Sequence, residues 1–180
     1  LPYSQASGYS YQGEGYMVGA LARLNLAKDI LHPKTKEFLK TTLELFPSAD
    51  IFLNNLAQAI EILHSVDESI DLLTKNDFKP EPIIKKPPRD AIGIGVVEAP
   101  RGTLYHKISL GADGLIKEGE VIVPTGQNQI NIERDVGRLV QDLLPDTPQD
   151  KIAFEIEKLI RAYDPCMSCA AHFLKVNWEK

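Results

Sequence analysis

Thiols are scarce in this chain of 180 residues, which carries only Cys166 and Cys169. A closed zinc site, which normally needs four Cys or His ligands and often two C-x-x-C pairs, is therefore beyond its cysteines. Basic residues are also in deficit, with 20 Lys and Arg against 25 Asp and Glu and a net charge of −5. That balance excludes a broad nucleic-acid surface, because counterion release needs clustered Lys and Arg. The one basic cluster, KPEPIIKKPPR, is interrupted by Pro80, Pro82, Pro87 and Pro88 and reads as an extended linker. No apolar run approaches the ~20 residues of a membrane span. The opening residues do not read as a signal peptide, and the expected location is the cytoplasm, where thiols stay reduced. Internal repeats and low-complexity tracts are lacking as well.

What is present is the composition of a soluble globular protein, 43% hydrophobic and 25% charged. The length suits one well-buried core and is marginal for two. The opening LPYSQASGYSYQGEGYMVG has no periodic pattern, as expected of a chain cut from something larger or of a disordered start. In FPSADIFLNNLAQAIEILHSVDESIDLLTKN, the apolar positions Phe52, Leu56, Ala59, Ile60, Leu63 and Ile70 follow helical spacing. They predict a long amphipathic helix over Asp50–Leu73, with Ser48 and Asp50 as candidate N-caps. A shorter helix is expected before it, in TKEFLKTTLELF.

From Ile92 the pattern changes. IGIGVVEAPRG and the two runs of TLYHKISLGADGLIKEGEVIVP, split by Gly and Asp turn residues, predict an antiparallel meander of three strands. Two helices should follow, INIERDVGRLVQDLL and TPQDKIAFEIEKLIRAY. The first has Ile132, Val136, Leu139, Val140 and Leu143 on one face, the second Ile152, Ile156, Leu159, Ile160 and Tyr163. Thr147 is the expected N-cap of the second, with Pro148 at its first position and Asp150 completing a near capping box. The fold class is therefore α+β, mainly helical, with a small three-stranded antiparallel sheet. Its segments are 1–78 (helical), 79–91 (Pro-rich connector), 92–172 (meander, two helices and the thiol turn) and 173–180 (tail).

The thiol turn reads YDPCMSCAAHFLKVNWEK. A C-x-x-C lets two sulfurs converge on one metal or close a small disulfide ring, and His172 adds a third ligand nearby. The other histidines, His32, His64 and His106, are distant in sequence. A thioredoxin-like pair would open a helix within a βαβ unit, whereas this pair follows one. Half of a metal site fits the count best.

DPCMSCAAH resembles the D-P-C-x-x-C-x-x-H motif of the large, catalytic subunit of nickel-iron hydrogenases. EAPRGTLYHKI resembles the E-A-P-R-G segment of that family, and VIVPTGQNQINIERD its V-P-T/S segment. YMVGALARLN and NNLAQAIEILHSVD resemble its helical middle region. The likeness runs in order along essentially the whole chain and is strongest to the cytosolic multisubunit branch of archaeal sulfhydrogenases and methanogen hydrogenases. It implies that Cys166 is a terminal nickel ligand and a candidate base, and that Cys169 bridges nickel to an iron carrying carbonyl and cyanide. It further implies that Arg101 lies over the open metal position beside a cyanide, with Ala99 and Pro100 close by. Thr125, after Pro124, would hydrogen-bond the second cyanide. His172 and the Val121 carbonyl would hold a magnesium or iron ion.

The plainer readings are that Arg101 pairs with Glu98, that Thr125 is a turn residue, that Pro124 ends a strand and that Asp164 ends a helix. The family's N-terminal R-x-C-G-x-C, source of two further nickel thiolates, is not in this sequence, so the chain alone is expected to be inert. The resemblance also implies cleavage between His172 and Phe173 by a C-terminal endopeptidase, making this an unprocessed precursor seen by nickel and iron maturation chaperones. Its implied partners are an iron-sulfur small subunit, together with flavin or iron-sulfur electron-transfer subunits. The alternatives are a metal-free quinone-oxidoreductase-type relative of the same fold and a zinc-binding interaction module.

Overall fold

The computed structural model describes residues 8–83 and 87–166. Helix α1 (Ala20–Ala27) is short and places Ala20, Leu21 and Leu24 in the core. A 3-10 turn, Lys28–Ile30, leads to α2 (Pro33–Phe38). Pro33 suits the first turn of α2 because no amide is needed there, and His32 Nδ1 accepts the Lys34 amide at 3.2 Å as the cap. The helix expected over Thr35–Phe46 is thus divided: α2 begins earlier, ends at Phe38, and a separate 3-10 turn covers Thr42–Leu45. The β-branched pair Thr41 and Thr42 disfavours a continuous α-helix, and the tighter turn brings Leu43 and Phe46 into the core.

Helix α3 (Leu53–Lys75) is the long helix, with a different start from the one expected. Ser48 Oγ accepts the Asp50 amide at 3.1 Å and Asp50 Oδ1 the Phe52 amide at 2.9 Å, so both residues build a preceding turn and neither caps the helix. The buried face of α3 is also rotated from the apolar one expected: Asn54, Ala57 and Ile60 are buried, whereas Phe52, Ala59 and Ile70 are exposed. Core packing around Leu21, Leu24, Phe46, Leu159, Ala162 and Tyr163 decides that face.

A polar seam joins α2 to α3. Thr35 Oγ1 donates to Asp67 Oδ2 at 2.7 Å, and the His32 amide donates to His64 Nδ1 at 3.0 Å. His32 Nδ1 already accepts the Lys34 amide, so its ring proton sits on Nε2 and points at Asp71 Oδ2, 3.1 Å away. Lys75 chiefly, and His32 next, hold the Asp71 carboxyl down at about 2. A depressed carboxyl contributes stability above its ordinary range, about pH 4, and loses it as pH falls through the folded value. Asp71→Asn should therefore lower the urea midpoint at pH 6 by an amount that shrinks between about pH 4 and pH 2. Urea titrations of both proteins across that range check it, and a gap that does not shrink counts against it.

Strands β1 (Ala91–Ala99), β2 (Gly102–Leu110) and β3 (Ile116–Ile122) form the expected antiparallel meander, in that order. At the β2–β3 turn, Gly114 (φ +79) donates to the Gly111 carbonyl at 2.8 Å, and Asp113 Oδ1 accepts the Leu115 amide at 3.1 Å. β1 leaves Ile92, Ile94, Val96 and Val97 exposed, side chains from both faces of the strand. No helix among the described residues is long and apolar enough to cross a membrane.

Helix α4 (Pro124–Leu143) starts six residues before the apolar pattern at Ile130 would place it, because Pro124 is its first residue and not a strand terminator. Its side-chain amides hold the aperiodic N-terminal segment. Asn128 exchanges two hydrogen bonds with the backbone of Val18 (2.9 and 3.0 Å). Asn131 donates to the Tyr16 carbonyl at 2.9 Å, and Gln127 Oε1 accepts the Tyr16 hydroxyl at 3.1 Å. That segment is therefore held at Tyr16 and Val18 by α4 and needs no periodicity of its own. Helix α5 (Gln149–Tyr163) buries Ile152, Ile156, Leu159 and Tyr163 as expected. Its N-cap is Pro148, without a side-chain bond, so Thr147 lies one residue too early to complete a capping box.

Candidate functional site

Three segments far apart in the sequence meet at one end of α5. The helix stops at Asp164, which adopts the left-handed conformation (φ 49) with its amide on the Arg161 carbonyl at 3.1 Å. This reversal turns Pro165 and Cys166 away from the helix axis. The Cys166 amide then donates to Thr125 Oγ1 at 2.9 Å. Thr125 is 6% exposed and sits in the first turn of α4, directly after Pro124. Accepting that bond leaves the Thr125 hydroxyl proton able to donate elsewhere.

The third segment is the hairpin turn between β1 and β2, where Pro100 and Arg101 lie between the paired residues Ala99 and Gly102. Arg101 Nε lies 3.1 Å from both the Asp164 carbonyl and Asp164 Oδ1. Gln58 Nε2, from α3, holds the other carboxylate oxygen of Asp164 at 2.8 Å. Asp164 thus ends its helix and also links the turn to the thiol segment.

The turn is seated tightly. Gly102 (φ +133) rests so close to Val18 that a Cβ would lie 2.5 Å from Val18 Cγ2. Gly19 (φ +116) leaves only 3.1 Å between its missing Cβ and the Arg101 carbonyl oxygen. Either glycine replaced by alanine would push the turn away from α1. One helical turn beyond Gly19, Arg23 reaches the same place. It forks onto Glu61 at 2.6 and 2.7 Å, pairs with Glu98 at 2.7 Å, and donates to the carbonyls of Ala99 (3.1 Å) and Pro100 (2.9 Å). Glu98 is therefore engaged by Arg23 and Thr103, and the plainer pairing of Arg101 with Glu98 is not the one adopted.

Of the expected site residues, Ala99, Pro100, Arg101, Pro124, Thr125 and Cys166 are brought to this one region. Val121 lies on β3 opposite His106. Cys169, His172, Phe173 and the tail lie outside the described residues. Among the described residues, no three His, Cys, Asp or Glu side chains group in a way that could hold a metal ion.

A family model described as nickel-dependent hydrogenase matches residues 2–172. The chain belongs to the nickel-dependent hydrogenase family. Among curated hydrogenases it is 33% identical to the alpha subunit of sulfhydrogenase 1 of Pyrococcus furiosus over 98% of its own length. It is 36% identical to a subunit of the F420-non-reducing hydrogenase of Methanothermobacter marburgensis over 96%. It spans 41% and 37% of those two proteins. A solved NAD+-reducing [NiFe]-hydrogenase in its H2-reduced state superposes on 91% of the chain with a TM-score of 0.73 at 31% identity, and the chain covers 37% of it.

Within this hydrogenase-family chain, the sequence reading missed the polar face of α3. Asn54, Gln58 and Glu61, spaced as neighbours on one helical face, hold respectively α1 and α5, Asp164, and Arg23. The signal was present as a polar stripe at i, i+4 and i+7 within a helix otherwise judged by its apolar residues. Arg23 was missed because its acceptors lie 38 and 75 to 77 positions away.

Proposed function

We propose that this chain is the C-terminal portion of the catalytic large subunit of a nickel-iron hydrogenase, which oxidises H2 reversibly to protons and electrons. The observation that carries the reading is the meeting of Arg101, Thr125 and Cys166 at one place from three distant segments. The donor set suits such a centre once Cys166, disulfide-bonded in the structure, is reduced. Two cysteine thiolates in a C-x-x-C would suit nickel, and a guanidinium with a hydroxyl suits anionic diatomic ligands that cannot be buried without donors. When bound, the centre supplies heterolytic cleavage of H2.

The residues of this chain take supporting parts. In their reduced form Cys166 and Cys169 would supply thiolates, and Cys166 Sγ would be the atom that takes the proton. The α4 N-terminus, the positive end of its helix dipole, favours negative charge where the Cys166 backbone lies. Arg101 presents N–H donors beyond those given to Asp164. Thr125 would donate a hydrogen bond through its remaining hydroxyl proton to a cyanide ligand. His172, with the Val121 carbonyl, would hold a magnesium or iron ion. Electrons pass to an iron-sulfur small subunit, then on to flavin or iron-sulfur subunits, in the cytoplasm. With two of four nickel thiolates, this stretch is inactive by itself. Its tail beyond His172 marks the precursor on which metal chaperones and an endopeptidase act.

The test is the full-length polypeptide matured in a host that makes nickel enzymes. Nickel near one equivalent, H2-dependent viologen reduction and loss of everything beyond His172 are the expected results. A nickel-free protein with no H2 activity overturns the hydrogenase reading. An intact tail in active enzyme overturns the precursor reading alone.

A further inference from the structure

We propose that Arg23 is a positioning residue for this site, fixing the backbone that aims Arg101. The inference rests on the reading of Arg101 given above. A guanidinium has five N–H donors, and Arg23 gives each one an acceptor. Nε and one Nη2 proton go to the two oxygens of Glu61, and the other Nη2 proton goes to the Pro100 carbonyl. The two Nη1 protons go to Glu98 and the Ala99 carbonyl. The planar fork is therefore used in full, and its rotation is fixed by the two-point contact with Glu61.

The acceptors matter more than their number. Ala99 and Pro100 are the two residues before Arg101, and their carbonyl directions set the plane from which the Arg101 side chain departs. Gly19 and Arg23 are one helical turn apart on α1, so a single face of that helix both abuts the Arg101 carbonyl and grips the two before it. With all five donors placed on Glu61, Glu98 and these two carbonyls, Arg23 acts on Asp164, Thr125 and Cys166 through the turn. Glu61 belongs to the same α3 face as Gln58, which holds Asp164 from the other side. Arg101 is consequently aimed from two points on one rigid helix.

Without the fork the hairpin should still close, because Ala99 pairs with Gly102 and Gly102 is lodged against Val18. The loss should therefore be one of aim more than of fold. Lysine keeps the charge but supplies only three donors on a flexible stem and cannot span Glu61 and both carbonyls.

The experiment compares wild type, Arg23→Lys, Glu61→Gln and Arg101→Lys as metal-loaded, full-length enzyme. It reads nickel content, H2 turnover and the infrared stretching bands of the cyanide ligands. Arg23→Lys should keep its nickel, broaden or shift the cyanide bands in the same direction as Arg101→Lys, and lose about tenfold in turnover. Glu61→Gln, which leaves both carbonyl bonds in place but slackens the anchor, should show a smaller shift of the same kind; it decides the matter if Arg23→Lys does not load metal. Wild-type bands and turnover in Arg23→Lys, or in Glu61→Gln where that variant decides, overturn the positioning role when Arg101→Lys is altered. If Arg101→Lys is also unchanged, the reading of Arg101 fails instead.

Discussion

Arg101→Lys in the metal-loaded full-length protein should cut H2 turnover by about a hundredfold or more, with thermal stability nearly unchanged. The two halves of this expectation come from the same geometry. The Arg101 side chain is 45% exposed and that of Asp164 32%, so their ion pair is a solvated one. Pairs of that kind contribute only about 0 to 1 kcal/mol. Asp164 also keeps its helix-ending amide bond and the Gln58 bond when Arg101 changes. The fold therefore has little to lose.

The proposed reaction has much more to lose. A donor held in advance where charge develops is typically worth about 10² to 10³ in rate. Nε is committed to Asp164, which leaves the terminal nitrogens of a rigid plane directed away from that anchor. An ammonium that pairs with Asp164 has no second arm in a fixed direction. Turnover with nickel content measured on the same sample, beside a melting curve, separates the outcomes. Turnover within threefold of wild type at equal nickel would remove Arg101 from the chemistry. A large fall in nickel would instead assign it to assembly of the centre.

The meander and α5 were legible because each follows a local rule. Turn glycines and Asp113 mark the hairpin, and Ile152, Ile156, Leu159 and Tyr163 keep one helical face. The start of α4 was not, since VIVP reads as a strand running into a proline. Proline is equally at home at the first position of a helix, and only the Asn128 and Asn131 bonds to Val18 and Tyr16 reveal which use is made of it. The site divides in the same way. C-x-x-C announces metal chemistry locally, whereas Arg101 reached the site reading only through resemblance, because Glu98 is its obvious neighbour in sequence. What redirects Arg101 to Asp164 is Arg23 taking Glu98, a competition between residues 75 positions apart. Apolar periodicity likewise hides Asn54, Gln58 and Glu61, because it scores a polar residue in a long helix as solvent-facing. Each of these three instead meets a partner from another element.

Asn54 gives the sharpest test of that polar face, and Asn54→Ala should destabilise the protein by about 3 kcal/mol. The residue is 3% exposed and joins two helix ends from the middle of the core. Its Oδ1 accepts the Leu21 amide at 3.1 Å, and its Nδ2 donates to the Ala162 carbonyl at 2.9 Å. Those two bonds fix which end of the side-chain amide is which. Leu21 lies in the first turn of α1 and Ala162 in the last turn of α5, so both are among the backbone groups that a helix cannot satisfy internally. Alanine leaves an orphaned donor and an orphaned acceptor, each costing about 1 to 3 kcal/mol when buried. In a chain of this size about 3 kcal/mol lowers the melting temperature by roughly 10 °C. Asn54→Leu discriminates the cause, since it restores volume and neither hydrogen bond. If the bonds carry the stability, leucine is as damaging as alanine; if a cavity does, leucine recovers most of the loss. Asn54→Asp should be no better than alanine, because it keeps the acceptor for Leu21 but sets a carboxylate against the Ala162 carbonyl in a buried place. Melting curves and urea titrations of the three variants read the order directly, and a leucine variant as stable as wild type would show that Asn54 fills space and does not tie the helices.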